Sequence, residues 1–242
     1  MTAYGPLAYA YDVLTGDVPY AAFLAYYQKI FSENTGEYRL LLDLCCGTGT
    51  LTCALAESGY DMIGADASPE MLSVAVQKST EKGVSPLFLC QRAEELDLYG
   101  TVDAAVSSLD SFNYLAREDL PAVLERLRLF IRPNGLLIFD IRSARWLRSL
   151  DGSTSVDEND ELLCLWRADL EEKREALLYG LDLFTRRGSL WERRREEHVE
   201  YLYEVDELIK VLTQADFSVL KVDKNGPQGE LGRIFFTCRR NP

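Results

Sequence analysis

The sequence predicts an α/β fold: a doubly wound, mostly parallel sheet covered by helices on both faces, carrying an inserted antiparallel β-meander. Three observations lead there. Between residues 38 and 141, short continuous apolar runs alternate with segments of helical period, as expected of strands buried on both faces and joined by crossover helices. The first apolar run breaks directly into a glycine turn, LLDLCCGTGT at residues 41–50, at the place where an open parallel sheet binds its ligands. Between residues 161 and 203 the alternation gives way to three strand-like runs in succession, the pattern of a meander.

Each element has its own justification. Residues 18–31, VPYAAFLAYYQKIF, set Tyr20, Phe23, Leu24, Tyr27, Ile30 and Phe31 at helical spacing, with Asp17 and Pro19 as start signals and SENTGE as the break. YRLLLDL is the first strand, TLTCALAES a helix ended by Gly59, and DMIGAD the second strand. Ser68-Pro69-Glu70 supplies an N-cap, a first-turn proline and an early acid to the helix MLSVAVQKSTEK, which Gly83 terminates. PLFLCQ and VDAAVSS are the third and fourth strands, REDLPAVLERLRLFI a helix, and NGLLIFDI a fifth strand after the turn Pro133-Asn134-Gly135. In the meander, ELLCLWRADL, EALLYGLDLFT and SLWERRREEHVEYLY follow one another, with Arg187-Gly188 as the hairpin turn between the last two. EVDELIKVLTQA is a helix, and FSVLKV and GRIFFTCRR form a closing strand pair around the loop DKNGPQGEL. The expected organisation is a helical cap over residues 1–37, a ligand-binding core over 38–141, an antiparallel insertion or lid over 142–203, and a helix with closing core strands over 204–242.

Composition narrows the function classes. The chain has 242 residues, 47% apolar and 27% charged, enough for one large α/β domain or two small ones. No window approaches the run of about 18 apolar residues that spans a bilayer, and MTAYGPLAYAYDVLTGDVPY lacks the basic region and apolar block of an export signal, so no membrane partner and a cytoplasmic location are expected. The six cysteines, Cys45, Cys46, Cys53, Cys90, Cys164 and Cys238, form no CxxC pair and read as reduced, mostly packed thiols with no metal to hold. A net charge of −13 counts against a long nucleic-acid partner, although a basic cluster lies between Arg186 and Arg195.

The glycine turn says what kind of ligand to expect. Gly47 and Gly49 let a ligand approach the backbone, and the helix that follows points free N–H groups at the same place. Asp66 ends the second strand at the right distance to accept hydrogen bonds from a ribose diol. A dinucleotide fingerprint needs a third glycine where Thr52 stands, and no Gly-Lys-Ser/Thr follows to make a P-loop. Asp43 would repel a pyrophosphate but attract an ammonium group, so the site suits a nucleoside that carries positive charge.

In order along the chain, LLDLCCGTGT, MIGADASPEML, VDAAVSSLDSFNYL and RPNGLLIFDI resemble the successive motifs of the class I S-adenosylmethionine-dependent methyltransferases. The resemblance is strong over residues 38–141 and looser at Tyr11-Asp12 and the last two strands. The segment LDSFNYL resembles a bacterial, small-molecule-type subgroup. The resemblance implies a Rossmann-like sheet of seven strands with the last antiparallel, S-adenosyl-L-methionine as cofactor, and a small-molecule methyl acceptor. It also implies that Asp43 and the Gly47/Gly49 turn receive the aminoacyl end, that Asp66 takes the ribose hydroxyls, and that Ala67 lines the adenine. Gln91, Arg92 and Ala93 would close on the adenine ring, Ser108, Leu109 and Asp110 would flank the methyl group, and Tyr11 and Tyr20 would fold over the cofactor. Two positions depart from the pattern. Arg92 stands where an acid is often found, with Glu94 or the backbone around Ala93 as substitutes. Cys45 stands where a glycine is usual, and is tolerated only if its side chain points away from the ligand.

Several residues admit two readings. His198, the sole histidine, serves either as a general base towards the acceptor or as a solvated cross-strand partner of a glutamate. Asp110 and Asn113 belong either to the site or to local turn capping. The run Arg193–Arg195 is expected to pair with Glu192, Glu196 and Glu197 across the meander, and an exposed meander edge could pair with a second copy of the chain. Against a small-molecule methyltransferase stand a tRNA methyltransferase, a nicotinamide-dependent dehydrogenase and a non-catalytic cofactor-binding protein.

Overall fold

The computed structural model describes residues 7–224, 226, 227, 229 and 231–242. The expected loop DKNGPQGEL falls partly outside the described residues, at positions 225, 228 and 230, as do the first six residues of the expected cap.

Two short helices open the chain: α1 (Ala8–Leu14) and α2 (Tyr20–Glu33). The core then alternates β1 (Leu40–Leu44), α3 (Thr50–Glu57), β2 (Asp61–Asp66), α4 (Pro69–Lys82), β3 (Leu87–Cys90), β4 (Val102–Ser107), α5 (Leu120–Phe130) and β5 (Ile131–Arg142). A short helix, α6 (Ala144–Arg148), leads into β6 (Thr154–Glu158), β7 (Leu162–Glu171), β8 (Ala176–Arg187) and β9 (Leu190–Tyr201). The chain ends with α7 (Val205–Gln214), β10 (Phe217–Asp223) and β11 (Arg233–Arg240).

Seven strands form one sheet in the order β10-β11-β5-β4-β1-β2-β3. β11 runs antiparallel to both its neighbours, while β1 to β5 are mutually parallel. Register alternates the buried faces. Met62, Leu41, Ala104 and Leu136 form one cross-strand row and meet Phe23, Tyr27 and Leu55 of α2 and α3. Leu42, Ala105 and Leu137, one residue on, face Val123, Leu127 and Leu208 of α5 and α7. On that second face Phe112 stacks on Phe139, and Phe139 on Phe236, with centroids 3.9 and 4.8 Å apart. The doubly wound sheet with its last strand antiparallel is therefore as expected.

The start of α4 also follows the sequence: Ser68 Oγ accepts from the Met71 N–H at 3.2 Å, Pro69 opens the helix, and Gly83 closes it in the left-handed region. Other local expectations need correcting. α2 starts after Pro19, and Asp17 does not cap it. α1 is a separate helix that the 18–31 pattern did not include. The insertion is a four-stranded antiparallel sheet in the order β6-β7-β8-β9, one strand more than the apolar runs suggested, because β6 is exposed throughout and carries no apolar face. Arg187 pairs with Leu190, so the hairpin turn is Gly188-Ser189 rather than Arg187-Gly188.

Candidate functional site

β1 and β4 lie side by side in the sheet, but the chain leaves β1 towards β2 and leaves β4 towards β5. Between their ends a crevice must open. Asp43, near the end of β1, is buried there with Thr52 Oγ1 donating to Oδ2 at 2.5 Å. Burial pushes its carboxyl up to about 7, the Thr52 hydrogen bond pulling down and Asp66 pushing further up. Asp66, at the end of β2, accepts the Gly47 N–H at 2.8 Å and the Ser68 N–H at 2.9 Å, one on each oxygen. Burial raises its carboxyl as well, against those backbone hydrogen bonds. A further backbone hydrogen bond comes from Ala67, and the lone pairs that remain are available to a ligand.

The turn between β1 and α3 passes through the left-handed region three times, at Cys45 (φ 59°), Gly47 (φ 54°) and Gly49 (φ 70°). The two glycines differ in use. A side chain on Gly47 would meet nothing within 4 Å, and Gly47 lines the crevice. A Cβ on Gly49 would stand 2.9 Å from that of Ala75 and 3.3 Å from the Phe88 ring, so Gly49 serves the packing of the turn against α4 and β3 rather than lining the cleft. Cys45 lines the crevice on both the Asp43 side and the Asp66 side. Cys45 also packs against the core on the α5 and α7 face, and burial keeps its thiol protonated.

α1 closes over this turn through polar contacts. Asp12 accepts from Thr48 Oγ1 at 2.6 Å and pairs with Lys78 of α4 at 2.8 Å, and Lys78 also donates to Thr50 Oγ1 at 2.5 Å. This latch holds Tyr11, one residue earlier, over the cleft. Tyr20 lines its Asp43 end and donates to Thr15 Oγ1 at 3.0 Å.

The turn after β4 is equally constrained. Leu109 and Asp110 both have φ 57°, a conformation that costs a non-glycine residue of order 1–3 kcal/mol. Asp140 of β5, fully buried, holds it by accepting the Leu109 N–H at 3.0 Å and the Asp110 N–H at 2.9 Å. Buried Arg233 of β11 bridges Asp140 and Asp110, at 2.7 Å from the latter. Asp110 thus spends its carboxylate on Arg233 and does not cap the following turn, contrary to the capping reading. Asn113 donates to the Arg142 and Tyr201 carbonyls at 3.1 and 2.9 Å, stitching that turn to β5 and β9. Ser108 Oγ meets the buried Tyr27 hydroxyl at 2.6 Å.

Three cavities meet at this point. The smallest holds Asp43, Tyr20 and Ser108; a second, of about 470 Å³, holds Asp66, Ala67, Gln91, Arg92 and Ala93. The third, of about 600 Å³, lies between the core and the antiparallel sheet and holds Asp110, Arg142, Trp166, Tyr179, His198 and Glu200. Tyr11 and Leu109 line all three. Volumes of about 300–1,000 Å³ are usual for small-molecule sites.

A family model described as a methyltransferase domain matches residues 41–135. An inferred methyltransferase of Geobacillus sp. (strain WCH70) is 30% identical, the match covering 98% of this chain and 99% of that one. The crystal structure of an S-adenosylmethionine-dependent methyltransferase from Clostridium acetobutylicum ATCC 824 is 26% identical, with a TM-score of 0.88 over 100% of both chains. The chain belongs to the class I S-adenosylmethionine-dependent methyltransferases. In fold, this methyltransferase also resembles the sugar N-methyltransferase KedS8 from Streptoalloteichus sp ATCC 53650, at a TM-score of 0.81 and 19% identity, covering 97% and 93% of the two chains.

S-adenosyl-L-methionine is the cofactor of this methyltransferase, and the site fits a cationic nucleoside. Buried Asp43 and half-buried Asp66 line adjoining cavities, each raised by desolvation, and no cationic side chain pairs with either among the described residues. The adenosine side is less open than expected. Arg92 pairs with Glu94, and Gln91 is tied to the Asp97 backbone by bonds of 3.0 and 3.3 Å, so both side chains lock the loop after β3 around the cavity. His198 is not solvated: it is buried on the inner face of β9, with Nε2 3.1 Å from Glu196, itself buried. Arg193 and Arg195 pair chiefly with buried Asp182 of β8, at 2.6 and 3.0 Å, joined by Arg167 at 2.8 Å; only Arg194 keeps the expected Glu192.

Sequence reasoning missed Asp140, Arg233, Tyr114, Glu200 and the Asp12–Lys78 latch. Asp140 carried a signal like that of Asp43: a lone acid inside an apolar strand, LLIFDI. Among the described residues no helix is long and apolar enough to cross a membrane.

Proposed function

We propose that this methyltransferase methylates a small molecule held in the cavity between the core and the antiparallel sheet. The single observation that carries this reading is that Tyr11 and Leu109 line all three cavities. An acceptor in the third therefore adjoins the cofactor side at those two residues, with Tyr114 also shared by the second and third cavities.

In this reading Asp66 receives the ribose diol, Ala67 and the Gln91–Ala93 loop enclose the adenine, and Asp43 faces the cationic aminoacyl end. The cofactor, when bound, supplies a methyl group already activated on a sulfonium. What the chain adds is alignment and dryness. The Asp140–Arg233 pair fixes the Leu109 turn, the Asp12–Lys78 latch fixes Tyr11, and the roof of β7, β8 and β9 excludes water. Holding the reactants in line is worth about 7–11 kcal/mol in favourable systems.

Two further features favour a small acceptor over RNA. The chain carries a net charge of −13, and the three arginines around Asp182 share one carboxylate instead of presenting three free charges. The fold-level likeness to KedS8, a sugar N-methyltransferase, points to the same class of acceptor. The test is release of S-adenosylhomocysteine with pooled small-molecule acceptors and, in parallel, with bulk tRNA at low and high salt. Turnover with a small-molecule pool is expected; turnover with tRNA alone would overturn the reading.

A further inference from the structure

One carboxylate in the acceptor cavity has an oxygen that the fold does not use. The inner face of β9 carries Glu196, His198 and Glu200 at every second position, all buried. Glu196 is engaged: it accepts the Leu7 N–H at 2.7 Å and lies against His198. Glu200 is only 5% exposed, and its Oε1 accepts from the Tyr114 hydroxyl at 3.3 Å. Its Oε2 is buried and accepts no hydrogen bond among the described residues. A buried carboxylate oxygen without a donor costs about 1–3 kcal/mol or more, so its retention at the wall of a cavity points to a ligand that supplies the donor.

Position indicates which part of the ligand. Tyr114 lines both the adenosine cavity and the acceptor cavity. Glu200 faces Asp110, which follows Leu109 at the junction of the three cavities, and lies among Arg142, Arg233 and Tyr179 on the neighbouring strands. The cavity is acidic on balance: Asp17, Asp110, Asp157 and Glu200 stand against Arg142 and Arg233. Arg233 is already taken by Asp140 and Asp110.

Resting on the small-molecule reading above, we infer that the acceptor carries a basic amine and that Glu200 Oε2 receives its charge on binding and its proton before transfer. The ammonium enters paired to the Glu200 carboxylate. One proton moves from nitrogen to Oε2, and the freed nitrogen lone pair takes the methyl group, the N–C bond forming as the C–S bond breaks. The positive charge lost from sulfur appears on the N-methylammonium product, and the proton on Glu200 leaves to water. Burial, with Asp110 adding to it, pushes the Glu200 carboxyl up to about 8 despite Tyr114, Arg142 and Arg233. That brings it closer to an alkylammonium, about 10.4 for lysine, whereas an alcohol is far too weak an acid to give up a proton to it.

Matched pairs, cyclohexylamine with cyclohexanol and benzylamine with benzyl alcohol, test this by titration into the enzyme saturated with S-adenosylhomocysteine. Both amines should bind roughly tenfold or more tighter than their alcohols. Glu200→Gln should abolish that preference while leaving S-adenosylhomocysteine affinity unchanged. A measurement on the wild type alone covers the case in which the variant misfolds: amine affinity should rise with pH through about 8, and alcohol affinity should not. Equal binding of both classes, or an amine preference that survives Glu200→Gln, would overturn the assignment and leave the small-molecule cavity standing. Failure of amines and alcohols alike to bind would instead overturn the cavity reading on which it rests.

Discussion

With Asp43 facing the cationic end of the cofactor, as proposed, cofactor affinity should depend on pH in a way that a single substitution isolates. Burial holds its carboxyl near 7, against an ordinary value of 3.8. A cationic ligand end prefers the ionised form. One pH unit below the pKa about one molecule in eleven is ionised, and one above it about ten in eleven. Affinity for S-adenosylmethionine should therefore rise about tenfold across that window, or about 1.4 kcal/mol. The cofactor's own amine also titrates, so the quantity to follow is the ratio of wild-type to Asp43→Asn affinity, measured calorimetrically across the same pH series. Above the window, replacing the carboxylate should cost about 2–4 kcal/mol of binding, roughly 30- to 1,000-fold.

The same residue acts on stability with the opposite sign. A raised carboxyl pKa stabilises the ligand-free protein fully below 3.8, and that stability is lost as pH rises through about 7. The rise from 3.8 to about 7 bounds the loss at about 4 kcal/mol. Ligand-free Asp43→Asn should accordingly gain in melting temperature relative to wild type above neutral pH, while binding the cofactor more weakly. An affinity ratio that stays constant with pH, or a variant that is both less stable above neutral pH and unchanged in binding, would refute the placement of a buried, ligand-facing charge at Asp43.

In the proposed site Asp66→Ala removes the acceptor for the ribose diol and should weaken S-adenosylmethionine binding by about 3 kcal/mol, roughly 100-fold, by calorimetry. Its melting temperature should also fall, since the Gly47 and Ser68 N–H groups lose their acceptor. Arg233→Met leaves buried Asp140 without its cation, and half-buried Asp110 with only Arg142 at 3.7 Å, and should destabilise the fold by about 3–5 kcal/mol in chemical denaturation. In the antiparallel sheet, burial raises the Asp182 carboxyl, but hydrogen bonds from Arg167, Arg193 and Arg195 outweigh it and hold it down at about 2. Asp182→Asn should cost about 1–3 kcal/mol at neutral pH. By linkage, that difference from wild type should persist down to the ordinary carboxylate value of 3.8 and vanish only as pH falls through about 2.

What the sequence revealed, and what it hid, follows from the range of the interactions involved. The parallel sheet was legible because each strand is a local apolar run and each helix carries its own boundary chemistry, as Ser68-Pro69 and Gly83 do for α4. Asp43 and Asp66 were legible because a carboxylate inside or at the end of a buried strand has no packing reason to be there. β6 was not, since an edge strand exposed on all five residues shows no apolar period. The Arg233–Asp140 pair spans 93 residues, and the Tyr114–Glu200 contact 86. Only the closing of β11 on β5, and of the antiparallel sheet over the core, brings these partners together. Gly49 shows a further limit: a glycine in a binding turn looks the same in sequence whether its missing Cβ makes room for a ligand or for Ala75 and Phe88.

The distribution of acids and cations ties the fold to the chemistry. Asp43, Asp66, Asp110 and Asp140 all lie at or near the carboxyl ends of sheet strands. Buried Arg233 balances the last two and so fixes the turn beside the reacting centre. Asp43 has only a neutral hydroxyl, and Asp66 only backbone N–H groups. A second arginine would have stabilised those two in the ligand-free protein, but it would also have repelled a sulfonium. Leaving them without a cation keeps the ligand-free cleft less stable than it could be, and in the proposed site a positive ligand would recover that deficit. Glu200 repeats the arrangement on the acceptor side of Leu109: a buried carboxylate whose second oxygen the fold leaves without a donor. The two halves of the site are thus polarised alike, with fixed cations where the backbone must be held and bare carboxylates where positive charge has to arrive.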